Sequence, residues 1–230
     1  MPEVQLHDSV LDEWGMGIVT GAYPPGARIA LDDDVTSQQA SRTVGREAVR
    51  VLESMGLVTV KRRAGAIVNP PEKWHSYDPR VIAWRLRGPD RAAQLHALSE
   101  LRAAVEPVAA RLAAARATPD QWARLTEGVM GLVTNSPAAS GPAYLAADAL
   151  FHRTLLEASG NVMFAALGGV VEAVLTGRTE HGLMPAVANP EAVRLHADVA
   201  ARIQAGDGAG AEASMRAIVD EADAAVQADA

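Results

Sequence analysis

A carboxylate and two imidazoles in the second half of the chain are residue types that bind divalent metal ions. Asp148 and His152 are four residues apart, so on a helix both side chains point to one side and can reach one ion. His196 lies further along the chain, on a later predicted helix, and can supply a third ligand. Ligands of oxygen and nitrogen without sulfur suit zinc, nickel, manganese or iron. The same spacing also fits a hydrogen-bonded pair that holds no metal.

A second group of residues could bind nucleic acid. The chain has a net charge of −7, yet the basic residues between 41 and 70 outnumber Glu47 and Glu53; they are Arg42, Arg46, Arg50, Lys61, Arg62 and Arg63. The relevant quantity for binding is this local charge and not the total. A solvated basic surface without a partner is the alternative interpretation.

The spacing of these cations suits a DNA groove. Arg42, Arg46 and Arg50 recur every four residues and share one helical face, where arginine can bind guanine edges or phosphates. Ser41 and Thr43 can bind phosphate near the start of that helix. The tip formed by residues 61–63 could enter the minor groove, with Gly65 allowing a sharp turn.

The elements that would position these residues follow from hydrophobic periodicity and from glycine and proline breaks. Helices at 8–20, 32–39 and 42–55, then strands at 57–60 and 66–68, have the order of a winged helix-turn-helix. Prolines at 70 and 71 predict an extended linker. The later helices are predicted at 79–87, 91–117, 119–134, 142–159, 162–178, 190–205 and 208–227. The predicted fold is therefore mainly α: a winged helix-turn-helix at 1–69, a linker at 70–78, and an all-helical antiparallel bundle at 79–230.

Composition excludes several classes of site. The absence of cysteine rules out disulfides, thiolate metal sites and a cysteine nucleophile. No run approaches the roughly 18 uninterrupted apolar residues of a membrane span, so we expect a cytoplasmic protein with no membrane partner. No nucleophile with a paired base is evident, so we expect no enzyme; the remote alternative is a metal-dependent enzyme built on the helical bundle.

The first part of the chain resembles the DNA-binding domain of GntR regulators. The resemblance rests on residues 23–29 (YPPGARI), 41–58 (SRTVGREAVRVLESMGLV) and 62–65 (RRAG). It implies DNA binding through the residues from 41 to 65 that are named above. Two departures stand out: Gly45 replaces a branched apolar residue and should loosen the recognition helix, and the acidic helix at 32–39 lacks an arginine that some relatives use.

The second part resembles the FCD sensor domain of the FadR-like branch of GntR proteins. The matching segments are residues 101–107 (LRAAVEP), 148–152 (DALFH), 159–161 (SGN) and 196–207 (HADVAARIQAGD). Many such domains hold a divalent metal through one Asp and three His. Asp148, His152 and His196 match three of these positions, and the fourth falls on Ile218, which cannot bind metal. Three outcomes follow: the metal binds weakly, it completes its shell with water or effector, or it is absent and the remaining polar groups bind an organic anion directly. His181 could replace the missing ligand only if the loop before Pro185 folds inward.

Three further residues are candidates for binding an organic acid. The FCD resemblance implies that Arg102 faces the cavity, where it can bind an effector carboxylate; an internal salt bridge to Glu106 fits the sequence equally well. Asn161 either contacts the effector or caps the next helix. Arg178 is either a second anion contact or a favourable charge at a helix C-terminus.

The segment at 74–86 (WHSYDPRVIAWRL) resembles regulators of sugar-acid catabolism. We expect Trp74 and Trp84 to pack the linker onto the sensor. The sequence thus predicts a homodimeric repressor that binds a palindromic operator and is released by a sugar acid such as gluconate or galactonate. A smaller hydroxy acid or a dicarboxylate is the alternative effector, and a sensor reduced to a dimerisation domain is also compatible with Ile218.

Overall fold

The computed structural model describes residues 3–29, 42–63 and 65–228 of the chain. These residues divide into two compact units, Met1–Arg91 and Ala92–Ala230. The predicted helix at 32–39 and Ser41 lie outside the described residues.

The first unit combines three helices of the described residues with a small sheet. The helices are α1 (Glu3–Val19), α2 (Arg42–Ser54) and α3 (Pro79–Arg87), and the strands are β1 (Arg28–Ile29), β2 (Val58–Lys61) and β3 (Gly65–Val68). The central strand β3 pairs antiparallel with both neighbours. Helices α1 and α2 pack together over a core that includes Leu11, Trp14, Leu52 and Leu57.

A glycine turn joins α2 to the β2–β3 hairpin. Gly56 has φ of 74°, and a Cβ at this position would collide with the carbonyl oxygen of Lys73. The amide of Leu57 donates to the carbonyl of Leu52 at 3.0 Å, which closes the helix. The chain can therefore turn out of α2 this close to the Lys73 carbonyl only because residue 56 is a glycine.

Helix α3, which the sequence analysis assigned to the second domain, packs in the core of the first unit. Asp78 caps the helix by accepting from the amides of Arg80 and Val81. Trp84 is 1% exposed in the core of the first unit, and its Nε1 donates to Asp12 of α1 at 2.9 Å. Trp74 also packs against this core. The two tryptophans, which we expected to pack the linker onto the sensor, thus pack against the core of the first unit, and Trp84 does so beside α1.

The second unit is a helical bundle. Its helices are α4 (Arg91–Arg116), α5 (Pro119–Asn135), α6 (Pro142–Ala158), α7 (Val162–Ala165), α8 (Gly168–Glu180), α9 (Pro190–Gln204) and α10 (Gly208–Ala228). Several begin with a proline after a capping residue, as at Thr118, which forms a capping box with Gln121. Phe151, Leu155, Val199 and Met215 are fully buried between α6, α9 and α10.

The fold class predicted from the sequence is confirmed, and the differences concern short elements. Helix α1 begins at Glu3 and not at residue 8. The two-residue strand β1 was not predicted, because it is too short to show a periodic pattern. The predicted helix at 162–178 is divided into α7 and α8, where Gly168 and Gly169 lower helix propensity.

One segment, Val162–Glu180, is long and apolar enough to cross a membrane by length and composition alone. The sequence analysis did not single it out, because no uninterrupted apolar run marks it. It includes α8, where Val170, Val171, Val174 and Leu175 are buried inside the bundle. A buried core helix of this composition passes the same test, so we treat the segment as part of the bundle.

Candidate functional site

Helix α2 presents a polar face opposite its buried one. Val44, Ala48 and Leu52 are buried, whereas the four predicted DNA-contacting residues of the helix are exposed; they are Arg42, Thr43, Arg46 and Arg50. Arg50 forms an ion pair with Glu47 at 2.9 Å, with both side chains more than half exposed. A pair this exposed is weak, so Arg50 remains available to another anion.

The turn between β2 and β3 adds exposed cations. Lys61, Arg62 and Arg63 are exposed, and Arg63 adopts a positive φ of 68°. Gly65 has φ of 77°, as expected of a glycine at a tight hairpin turn. A Cβ at Gly65 would lie 3.2 Å from Nε of Arg28, so this arginine of β1 sits beside the turn. Sequence reasoning missed Arg28, although it lies within the matched segment at 23–29.

The second unit contains a cavity of about 470 Å³ between α4, α6, α8, α9 and α10. Arg102, Asp148, His152, Arg178 and His196, all selected from the sequence, line it. Its apolar wall includes Leu175, Leu183, Met184 and Ile218. A cavity of this size with a few convergent polar groups is typical of a small-molecule site.

The predicted metal residues converge on one point. Oδ1 of Asp148 lies 3.3 Å from Nε2 of His152 and 3.3 Å from Nε2 of His196. One ligand atom from each residue lies within 4.8 Å of the others, and all three side chains are buried. Helix α6 supplies Asp148 and His152 one turn apart, and α9 supplies His196, as the spacing predicted.

The surroundings of the two histidines test whether this trio fits a metal. Nδ1 of His196 donates to the carbonyl of Ala192 at 2.7 Å, which directs Nε2 towards Asp148. Nε2 of His196 is buried and has no hydrogen-bond partner among the described residues. Nδ1 of His152 lies 2.9 Å from Oε2 of Glu106. Histidine ligands of metals have such an acceptor at the other ring nitrogen, so the arrangement fits a divalent ion.

The electrostatics of the trio depend on buried neighbours. Burial alone would lower the pKa of His152, but the carboxylates of Glu106 and Asp148 raise it to about 9. Burial would raise the pKa of Asp148, but its two histidine neighbours hold that pKa well below the usual range. A metal ion therefore has to displace a proton from His152 at neutral pH.

The fourth ligand position is apolar. Ile218, on α10, is 4% exposed and lines the cavity. His181 follows the last residue of α8 and is not among the residues lining the cavity. The described residues thus offer three ligands, which would leave coordination positions of an ion for water or for an oxygen of a bound molecule.

The two candidate arginines differ in how their charge is compensated. Nε of Arg102 donates to Glu106 at 2.9 Å, and both side chains are buried, so the internal salt bridge considered from the sequence is present. Arg178 is 8% exposed, and its Nε has no hydrogen-bond partner among the described residues. Burial and the nearby charge of Arg102 lower the pKa of Arg178. Arg178 is thus the cavity arginine whose charge is less well compensated.

The structure does not bring Asn161 to the cavity. Its side-chain oxygen accepts from the amide of Met163 at 3.0 Å and caps α7. Of the two roles predicted for Asn161, effector contact or helix cap, its contacts are those of the helix cap.

Sequence reasoning missed three polar residues of the cavity: Tyr144 of α6, Asn189 at the start of α9, and Glu221 of α10. Nδ2 of Asn189 donates to Oε1 of Glu221 at 3.1 Å. Burial, together with the carboxylates of Asp148 and Glu221, raises the pKa of Tyr144, so its hydroxyl keeps its proton. These residues belong to no motif; only the four-residue spacing of Tyr144 and Asp148 on one helix could have indicated the first.

Comparison with known proteins gives the family. The FCD domain model matches residues 97–221, more than half of the chain. The galactonate operon transcriptional repressor of Escherichia coli K12 is 30% identical over 207 residues, 89% of this chain and 90% of the relative. An uncharacterized HTH-type transcriptional regulator of Mycobacterium tuberculosis is 33% identical over 208 residues, 88% of this chain and 82% of the relative.

Solved structures agree on the fold. E. coli McbR/YncC superposes with a TM-score of 0.54 at 19% identity, covering 98% of this chain and 99% of that one. The Streptococcus agalactiae GntR protein has a TM-score of 0.51 at 20% identity, with 95% and 99% covered. From its FCD match and its sequence relatives, which are HTH-type transcription regulators, the chain belongs to the FCD-domain family of transcription regulators.

Proposed function

We propose that this regulator is a homodimeric repressor that binds palindromic operator DNA in the cytoplasm and is released by a sugar acid. The observation that carries the proposal is the cavity. Three candidate metal ligands line it together with Arg178, a buried arginine that lacks a full counter-charge. The galactonate operon repressor, a relative over most of the chain, supports a sugar acid as the effector.

The DNA side of the proposal uses the basic surface of the first unit. Arg42, Arg46 and Arg50 bind base edges and phosphates from α2, and Ser41 and Thr43 bind phosphate near the start of this helix. Lys61, Arg62 and Arg63 approach the minor groove, with Gly65 shaping the turn. One recognition helix reads only a few base pairs, so a two-fold dimer on a palindrome supplies the remaining affinity and specificity.

The effector side uses the cavity. Asp148, His152 and His196 would hold a divalent ion such as Zn²⁺, Ni²⁺ or Mn²⁺, which when bound supplies a Lewis-acidic site for a carboxylate or hydroxyl oxygen. Arg178 binds the effector carboxylate, because its guanidinium is buried without full compensation. Arg102 also lines the cavity and is held in place by Glu106. Asn161 has no part in effector binding, because its side-chain oxygen caps α7.

Effector binding lowers the affinity for DNA if the effector prefers one arrangement of the DNA-binding units over another. The coupling is reciprocal: operator DNA must weaken effector binding by the same factor by which effector weakens DNA binding. A repressor released by its ligand meets this condition.

The first test is a thermal-shift screen of metal-stripped and metal-loaded protein against sugar acids, hydroxy acids and dicarboxylates, followed by operator release. A ligand that binds the folded state raises its melting temperature by mass action. We expect a sugar acid to give the largest shift and to release operator DNA. A larger shift with a small hydroxy acid or a dicarboxylate would contradict the sugar-acid proposal, and no shift with any acid would favour a sensor that only dimerises.

Two variants separate the functions of the two units. Arg46→Ala should weaken specific DNA binding and lower the dependence of binding on salt, while the effector shift stays intact. Arg178→Gln should reduce effector affinity by about tenfold or more and leave operator binding intact. Arg216→Gln, an exposed residue of α10, is the matched control for the second variant. Loss of both functions in either variant would mean that the residue is structural.

A further inference from the structure

The cavity contains a carboxylate that neither the metal trio nor the anion contact uses. Glu221 lies on α10 and lines the cavity together with Arg178 and Tyr144. Its Oε1 accepts from Nδ2 of Asn189 at 3.1 Å. Asn189 in turn uses its side-chain oxygen to cap α9, accepting from the amide of Glu191 at 3.0 Å. The amide of Asn189 is thereby oriented, and it holds the Glu221 carboxylate at the cavity wall.

A carboxylate at this position selects between chemical groups. An ionised carboxylate only accepts hydrogen bonds, so it favours hydroxyl groups of a ligand. It repels a second carboxylate, because two close negative charges in a partly buried site cannot both stay ionised without cost. The preference is thus for a hydroxylated chain over an acidic chain end.

The neighbours of Glu221 complete a site for hydroxyl groups. Tyr144 is 4% exposed and keeps its hydroxyl proton, because burial and the carboxylates of Asp148 and Glu221 raise its pKa. Its hydroxyl can both donate and accept. The amide of Asn189 holds the Glu221 carboxylate at the same wall. The Glu221 carboxylate is close enough to Arg178 to favour the charged form of its guanidinium. That guanidinium offers the positive group for the carboxylate of the ligand.

We infer that Glu221 is a specificity-determining residue of the effector site, which selects a polyhydroxy monocarboxylate and rejects the corresponding dicarboxylate. Arg178 binds the carboxylate of the ligand, beside the ion that Asp148, His152 and His196 would hold, and Glu221 with Tyr144 binds hydroxyl groups of its carbon chain. This inference rests on the proposed function, since it assumes that a sugar acid occupies the cavity. It adds that the acid is of the aldonate type, with one carboxylate, and not of the aldarate type, with a carboxylate at each end.

The test compares two ligands that differ only at one end. An aldonate of six carbons and the aldarate of the same hydroxyl configuration are titrated calorimetrically into the metal-loaded full-length protein, its Glu221→Gln variant and its Asp220→Asn variant. Glutamine keeps the shape and can still accept from Asn189 while removing the charge. Asp220 is an exposed neighbour on α10 that does not line the cavity, so Asp220→Asn is the matched loss of one charge.

We expect the wild-type protein and Asp220→Asn to bind the aldonate at least about tenfold more tightly than the aldarate. In Glu221→Gln this ratio should fall about fivefold or more, through weaker aldonate binding, tighter aldarate binding, or both. An unchanged ratio in Glu221→Gln, or an equal change in Asp220→Asn, would overturn the assignment of Glu221 while leaving the proposed function standing. Failure of the wild-type protein to bind either acid would contradict the proposed function itself, and with it this assignment.

Discussion

Each histidine of the trio can offer one nitrogen to a common centre because its other nitrogen faces an acceptor. For His196 that acceptor is a backbone carbonyl of its own helix, and for His152 it is the carboxylate of Glu106 on α4. Arg102 in turn compensates Glu106 at 2.9 Å. The cavity wall is therefore a chain of buried charges, in which the loss of one member leaves its neighbour without a partner.

Ile218 limits how tightly the protein can hold a metal. Because Ile218 is buried at the cavity wall, Ile218→His places a third imidazole, and so a fourth ligand, beside the trio. We expect the affinity of the metal-stripped protein for Zn²⁺ to rise by about tenfold or more, as the closed four-ligand set of structural zinc sites suggests. Calorimetric titration measures the change, with Ile218→Leu as the control of similar volume. Equal affinities in the His and Leu variants would place residue 218 out of reach of the metal.

The ionisation of Glu106 makes the stability of the second unit depend on pH. Burial would raise its pKa, but Arg102 and His152 lower it to about 2, against an ordinary value of 4.5. Because the pKa in the folded state is the lower one, ionised Glu106 stabilises the fold above pH 4.5, and this contribution is lost as the pH falls towards 2. The contribution is about 3 kcal/mol by linkage.

Glu106→Gln tests this dependence. At pH 7 the variant should lose about 3 kcal/mol or more, because Arg102 is left buried without a counter-charge. Between pH 5 and 3 its free energy of unfolding should fall less steeply than that of the wild-type protein, as followed by circular dichroism in denaturant. Parallel curves for the two proteins would show that Glu106 does not contribute to acid sensitivity.

At the scale of elements, the packing of α3 on α1 depends on a glycine. A Cβ at Gly15 would lie 2.5–2.6 Å from three ring carbons of Trp84, whose indole is fixed by its hydrogen bond to Asp12. Gly15→Ala gains about 1 kcal/mol of helix propensity but overpacks the core at a cost of about 1–3 kcal/mol. Because the ring is buried and cannot move aside, we expect a net loss of stability, measured by chemical denaturation.

A double-mutant cycle distinguishes this clash from a general effect on α1. In a Trp84→Phe background the smaller ring leaves room, so the cost of Gly15→Ala should shrink or change sign. A cost that is the same in both backgrounds would mean that Trp84 is not the group that Gly15 accommodates.

The same scale shows what a single sequence can and cannot predict. Helix α6 and helix α9 were predicted within a residue of their observed ends, because proline at their first position and long apolar periodicity mark them. Strand β1 was missed because two residues carry no periodicity, and its pairing with β3 depends on contacts far apart in sequence. The long predicted helix at 162–178 is interrupted at residues 166–167, just before a glycine pair at the start of α8, and local propensity alone could not place that break.

Some residues of the candidate site could likewise be predicted from the sequence, and others could not. Asp148 and His152 could be predicted because one helical turn joins them, and His196 and Ile218 because the family resemblance aligns them. Glu221 and Asn189 could not be predicted, since they meet across 32 residues and only the folded bundle brings them together.

At the scale of the whole molecule, the division into two units predicts which fragments fold. Residues 1–91 include α3, whereas residues 1–78 leave the place of Trp84 in the first core empty. Removing a buried tryptophan costs about 3–5 kcal/mol. We therefore expect fragment 1–78 to melt at least about 10 °C below fragment 1–91 in a calorimeter. Equal melting temperatures would mean that α3 does not stabilise the first unit and belongs to the second domain, as the sequence analysis assigned it.

The positions of the four tryptophans give the two units separate optical properties. Trp14, Trp74 and Trp84 belong to the core of the first unit, whereas Trp122 lies on α5 of the second. The indole of Trp122 shares a groove with Ala197, the neighbour of His196 on α9. A protein in which phenylalanine replaces the first three would thus emit from one fluorophore beside the helix that carries a candidate metal ligand. Its emission would report on the second unit alone, because the other three tryptophans belong to the first.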